Sequence, residues 1–207
     1  MSKDQSTREI ILEASKKEFL AKGFKNASLR NIAASIGLTT GAIFGYFSNK
    51  NAIFEALVNP MLEKLEIFFE EMSNSYYDND GDADELSIDN SIGEINKIYD
   101  FIYDNFDEFR LLVCCSEGSS REDFVHTFVE TEVAETIKYM NNLRETKGLE
   151  LEIEERTLHT LSDSYINSML EPVRHNMSKE EAKKDVEFLG IFYTGGWKAA
   201  FEAFTKK

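Results

Sequence analysis

Three histidines, two adjacent cysteines and a run of acidic residues carry most of the chemistry this chain could do beyond packing. Each histidine follows a glutamate by four positions: Glu122 and His126, Glu155 and His159, Glu171 and His175. On a helix that spacing puts both side chains on one face, where they form surface ion pairs. A di-iron bundle needs Glu and His three apart on two helices, so the register argues against it and no metal site is expected. Cys114 and Cys115 suit a reducing compartment and read as small apolar packing residues. Neither they nor Ser119 and Ser120 sit in a motif that activates a nucleophile, and no glycine loop that could cradle phosphates occurs. The chain is therefore not expected to be an enzyme, and no cofactor is expected.

The run from Asp78 to Asp89 offers oxygen ligands at loop positions 1, 3 and 5, namely Asp78, Asp80 and Asp82. A calcium loop also needs glycine at position 6 and a long, bidentate Glu at position 12, where this chain has Ala83 and Asp89. An exposed acidic loop, about residues 74–91, is the better reading. A calcium-responsive sensor or helical binding protein with a non-functional helix-turn-helix unit is the competing one.

A different chemistry belongs to the Lys and Arg residues, on which phosphate binding depends. The formal net charge of −15 argues against nucleic acid, but it is unevenly spread. Residues 1–50 carry +4 and residues 51–207 carry −19. A small basic unit joined to a large acidic one is the asymmetry expected when one part meets DNA.

These side chains have to be positioned by helices. Over 207 residues, 42% hydrophobic and with only 2 prolines, apolar residues recur at helical spacing, so an all-α fold is expected. Ser6 and Glu9 form a capping box ahead of a first helix carrying Ile11, Leu12, Ala14 and Phe19, which stops at Gly23. Ser28 caps a second with Leu29, Ile32, Ala33 and Ile36 as its apolar stripe, ended by Gly37. Thr39 and Thr40 then cap a third, over about Thr40 to Phe47. Ala33 must be small where the two helices cross, Gly37 must turn, and Ile43 must reach back into the core. In such a helix-turn-helix unit the third helix lies in the major groove.

The segment Ser28-Leu29-Arg30-Asn31-Ile32-Ala33-Ala34-Ser35-Ile36-Gly37-Leu38-Thr39-Thr40-Gly41-Ala42-Ile43-Phe44-Gly45-Tyr46-Phe47-Ser48-Asn49-Lys50 resembles the DNA-binding segment of TetR-family transcriptional regulators, a likeness covering roughly residues 8–57. The resemblance implies phosphate contacts by Ser28, Thr39, Tyr46 and Lys50, and base contacts by Arg30, Thr40, Gly41, Ala42 and Phe44. Three departures stand out: Phe44 where the family usually has Tyr, Gly45 in the middle of the third helix, and Glu18 at a first-helix position that is apolar in most relatives.

Residues 1–52 are thus expected to form the DNA-binding domain. Residues 53–207 are expected to form a helical effector-binding and dimerisation domain. A fourth helix, capped by Asn49, carries Ile53, Leu57, Met61, Leu65 and Phe68, with Pro60 favouring a kink. Further helices span Ile92–Phe109 and Asp123 to about Leu143. Phe101, Tyr103, Phe106, Phe109, Phe124, Phe128, Tyr139 and Met140 are the candidate lining of a pocket for a small-molecule effector, although aromatic stripes at helical spacing also serve as plain core.

Near the C-terminus, Leu158, Leu161, Tyr165 and Met169 form one stripe. Val186, Leu189, Tyr193 and Trp197 repeat its spacing, Pro172 ends or kinks the first helix, and a Ser178–Glu181 capping box opens the second. Small residues, Gly190, Gly195, Gly196, Ala199 and Ala200, allow close backbone approach. The TetR resemblance implies that these two helices pair with their copies in a homodimer. It further implies a ligand-responsive repressor of a near-palindromic double-stranded operator. No apolar run approaches the roughly 20 residues of a membrane span, and the polar start lacks a signal stretch, so a cytoplasmic protein is expected.

Overall fold

The computed structural model describes residues 3–78, 88–148 and 150–206. It is built from α-helices together with one antiparallel pair of two-residue strands, in which Glu150–Leu151 (β1) meets Thr205–Lys206 (β2). Two compact units emerge. One comprises Met1–Ser73 and Asn105–Phe124, the other Asn74–Asp104 and Val125–Lys207.

The first unit contains α1 (Lys3–Asn26), α2 (Leu29–Ser35), α3 (Thr40–Phe44), the first part of α4 (Lys50–Asp78) and α6 (Phe106–Cys114). Its centre is a triangle of rings. Phe54 meets Phe19 edge-on at 5.5 Å and Phe24 at 5.3 Å, with Ile11, Ile32, Ala33, Ile43 and Val58 also buried. Polar contacts join α6 and the segment after it to the start of this unit. Lys16 pairs with Asp107 and Glu108, the Phe24 N–H donates to the Cys115 carbonyl at 2.8 Å, and Arg121 reaches Asn59 at 2.9 Å. These contacts and the burial of Ile53, Phe54 and Val58 explain why the unit extends past residue 52 and takes in Asn105–Phe124.

The second unit contains α5 (Ile88–Asp104), α7 (Phe124–Lys147, from Val125 onward), α8 (Glu155–Arg174), α9 (Lys179–Lys183) and α10 (Val186–Phe204). Ile95, Tyr99, Met169, Ala182 and Val186 form one buried cluster, flanked by Ile92, Tyr165 and Leu189. The α5 and α10 backbones come close at Gly190, where a Cβ would stand 2.7 Å from Ile92 Cγ1. Lys179 and Lys183 both pair with Asp100, and the Tyr103 hydroxyl donates to the Met177 carbonyl at 3.0 Å.

Several sequence expectations shift. The first helix starts at Lys3, so Ser6 lies inside it rather than capping it, and Gly23 (φ 73°) breaks it as expected. Pro60 lies within α4 without ending it and is exposed. The single helix expected over Ile92–Phe109 begins at Ile88 and breaks at Asn105, whose ψ of 37° is not helical. Pro172 sits two residues before the end of α8. The Ser178–Glu181 capping box forms, yet it opens the separate five-residue α9 rather than α10. Cys115 is buried as expected while Cys114 is exposed. The acidic loop expected over about 74–91 is shorter, since 74–78 belong to α4 and 88–91 to α5; residues 79–87, with most of the expected calcium ligands, lie outside the described residues.

Candidate nucleic-acid interface

The turn between α2 and α3 is set by Gly37, whose φ of +69° is strained for any residue with a Cβ. The Leu38 N–H donates to the Ala33 carbonyl at 2.9 Å and the Gly37 N–H to that of Ala34 at 3.3 Å, satisfying the end of α2. The Thr39 hydroxyl accepts from the Ala42 N–H at 3.1 Å and so starts α3. Ile43 then points into the core with no exposure, which turns the opposite side of this short helix outward.

Arg30, Gly41 and Phe44 are exposed, Phe44 at 51%, while Thr40, Ala42 and Tyr46 are half-buried. The expected base-contact residues are therefore all at least partly accessible, Arg30 on α2 and the others on α3. The third helix is shorter than expected and ends at Phe44. Gly45 is its C-cap (φ −70°, ψ −21°) and not a mid-helix residue, so the helix-interior penalty of glycine does not apply.

Two expected phosphate contacts are engaged within the unit. Thr39 is occupied as a cap. Lys50 directs its ammonium at three carbonyls, Phe24 at 2.6 Å, Ala27 at 3.2 Å and Lys25 at 3.4 Å, with the group 4.5 Å from the centre of the Phe24 ring. It ties the end of α1 to the start of α4. Burial lowers its pKa. Replacing Lys50 by Met, which keeps the apolar stem, should cost about 1.5–3 kcal/mol through the lost charge-assisted bonds. Chemical denaturation measures this. The salt dependence of DNA binding should stay unchanged, whereas loss of a phosphate contact would lower the slope by about one.

Glu18 was visible in the sequence as a misfit, but its partners were not. Its carboxylate accepts from Lys22 at 2.8 Å and, at 3.3 Å each, from the Ser28 backbone N–H and the Asn31 amide. It thereby anchors the start of α2, and the Ser28 side chain makes no capping bond of its own. The Lys22 hydrogen bond, aided by those from Ser28 and Asn31, holds the Glu18 carboxyl below its ordinary 4.5. The stability this adds is present above that ordinary value and is lost as pH falls through the lowered one. Glu18→Gln should therefore flatten the acid limb of a Tm-versus-pH profile. An acid limb as steep as the parent's would show that Glu18 is not the linked group.

Residues 11–57 match the family model described as bacterial regulatory proteins, tetR family. The likeness to that family rests on these residues. The chain is 37% identical over 59 residues to the HTH-type transcriptional regulator TtgR of Pseudomonas putida, a match covering 28% of each chain. It is 40% identical over 52 residues to the HTH-type transcriptional repressor BepR of Brucella suis, covering 25% of each. These matches thus span little more than a quarter of the curated relatives. The whole chain shares its fold with NalD, the secondary repressor of the MexAB-OprM multidrug efflux pump in Pseudomonas aeruginosa, at a TM-score of 0.58, 19% identity and full coverage of both chains. A TetR-family structure from Mesorhizobium loti aligns at a TM-score of 0.51 and 13% identity, over 94% of this chain and 98% of that one.

The remaining candidate residues are dispersed. Of the expected effector-pocket set, Phe106, Phe109 and Phe124 fall in the first unit, where Phe109 meets Phe124 edge-on at 6.5 Å. Phe101, Tyr103, Phe128, Tyr139 and Met140 fall in the second. Of the expected dimer stripe, Leu158 and Met169 are core residues, 1% and 3% exposed, because α8 turns them inward, so they are not available to a partner. Leu161 and Gly196 are exposed, and Tyr165, Leu189, Tyr193, Trp197 and Ala200 are half-buried. Phe188, Ile191 and Phe192 lie exposed on α10 and were not singled out from the sequence, because they fall between the residues of its inward stripe. Only the third of the expected histidine pairs forms: His175 lies 2.6 Å from Glu171. His159 instead meets Glu130, and Glu122 accepts from the Gly118 N–H. Among the described residues, no helix is long and apolar enough to cross a membrane.

Proposed function

We propose that this chain is a DNA-binding transcriptional regulator, a ligand-responsive repressor that acts in the cytoplasm as a homodimer on a near-palindromic operator. The observation that carries the reading is the Gly37-turned pair of helices that anchors Ile43 inward and leaves Arg30, Gly41 and Phe44 accessible. Arg30 can fork onto guanine and Phe44 can pack on a thymine methyl. Thr40 and Ala42 supply a hydroxyl and a second methyl contact, while Ser28 and Tyr46 supply hydroxyls for phosphates. Repression is the favoured direction because similar proteins carry repressor names.

Dimerisation is supported by the outer side of α10. Phe188 and Phe192 stack at 6.3 Å, 70% and 63% exposed, and Ile191 lies beside them. Leu161 of α8 is also exposed. At Gly195 and Gly196 nothing stands within 4 Å of where a Cβ would be. Such an apolar surface suits a second copy. A dimer also supplies two copies of α3 for half-sites about 34–36 Å apart. An effector acts by binding the DNA-competent and DNA-incompetent states unequally, and Phe101, Tyr103, Phe128, Tyr139 and Met140 of the second unit are its candidate contacts.

Selection of bound sequences from random duplex DNA by the full-length protein, with and without a metabolite extract, tests the reading. It should return a near-palindrome whose retention the extract reduces. Thr40→Ala should relax the preference at one position of each half-site by about 1–3 kcal/mol. Absence of any enriched sequence overturns the proposal.

A further inference from the structure

The histidine register argued against a metal when each helix was considered alone, and the structure brings histidines of two helices together. His126 and Glu130 are one turn apart on α7, and His159 comes from α8. The imidazole and carboxylate ligand atoms of all three lie within 4.8 Å of one another, and His159 Nε2 is 3.0 Å from a Glu130 carboxylate oxygen. We propose that His126, Glu130 and His159 form a binding site for a borderline divalent transition-metal ion of the Zn2+ class, joining α7 to α8.

Zinc takes imidazole nitrogen and carboxylate oxygen at about 2.0–2.2 Å in a tetrahedral shell, so its ligand atoms lie about 3.3 Å apart. The His159–Glu130 pair already has that spacing. The third atom has to close by at most ~1.5 Å, which rotation of exposed side chains about their broad terminal torsions supplies. Two imidazoles and one carboxylate select Zn2+, Cu2+ or Ni2+ over Mg2+ and Ca2+, which demand an oxygen shell. All three side chains are accessible, Glu130 at 53% and His159 at 41%, leaving the fourth position to water or a ligand. The Glu171–His175 pair makes the contrast. It has a single imidazole, and the Arg174 guanidinium stands 3.4 Å from the same carboxylate, where a second cation would be repelled.

The test uses the untagged full-length protein, stripped with chelator and titrated with Zn2+ against a chromophoric competitor. One equivalent per chain is expected to bind. His126→Ala and His159→Ala should each weaken binding at least tenfold, and His175→Ala and Cys114→Ser should not. Zn2+ should raise the Tm of the parent and leave that of the two variants unmoved. Co2+ should give d–d bands without a thiolate charge-transfer band. Should either alanine variant fail to fold, Glu130→Gln carries the same expectation. Parent-like binding by a folded His126→Ala or His159→Ala, loss of binding in Cys114→Ser, or no binding at micromolar Zn2+ overturns the site and leaves Glu130–His159 as an ordinary ion pair.

Discussion

Phe54→Ala is expected to destabilise the first unit by about 3–5 kcal/mol, a large share of the roughly 5–15 kcal/mol that a folded domain possesses. The ring has no exposure and fills the angle between Phe19 and Phe24, whose centroids are 5.7 Å apart, so its removal leaves a cavity that two rigid rings cannot close. Lys50 adds to the effect. Its ammonium rests against Phe24, so loosening that ring also loosens the tie between α1 and α4. The midpoint of denaturation followed by circular dichroism reads the loss. Ile53→Val, one methylene smaller at the neighbouring buried position, should cost only about 0.5–1.5 kcal/mol. A loss below about 1 kcal/mol for Phe54→Ala would mean that the ring triangle collapses without a cavity.

Phe192→Glu is expected to turn the proposed dimer into a monomer and to weaken operator binding by about 30- to 1000-fold, the range of a 2–4 kcal/mol interface anchor. In the single chain Phe192 is mostly exposed, stacked on Phe188 and edge-on to Tyr193 at 5.3 Å, so a charge there meets solvent and the helix content should be retained. Against a partner the same charge would be buried without a counter-ion, a cost of several kcal/mol. Gly196→Glu should act in parallel. Sedimentation at micromolar concentration decides the matter. A stable dimer of either variant places the interface elsewhere, and a monomeric parent removes it altogether.

The local parts of the fold were legible because their signals are local. Gly37 demands a left-handed turn, Thr39 a cap, and Ala33 and Ile43 a close helix crossing, each within a few residues of its partner. What could not be read depends on contacts across sequence. Lys50 offers a cation in the sequence, but its three carbonyl acceptors lie 23 to 26 positions away. Glu18 looks misplaced until Ser28 and Asn31 arrive beside it. Apolar spacing runs smoothly from Ile102 through Phe106 to Phe109, so nothing in the pattern announces the break at Asn105. The α8 stripe illustrates a further limit. Periodicity identifies a buried face, but it does not say whether the covering comes from the same chain, as for Leu158 and Met169, or from another molecule.

The glycines of α10 answer to different masters. Gly190 is fixed by its own chain, since any side chain there strikes Ile92, whereas Gly195 and Gly196 meet nothing of the chain they belong to. In the proposed dimer, mutations at the outer pair would therefore change which subunits can associate while leaving the tertiary structure of each intact. Where one cell carries several paralogues of this architecture, that separation lets a newly duplicated copy acquire an exclusive partnership, insulated from mixed dimers, in a handful of substitutions that leave its fold unaltered.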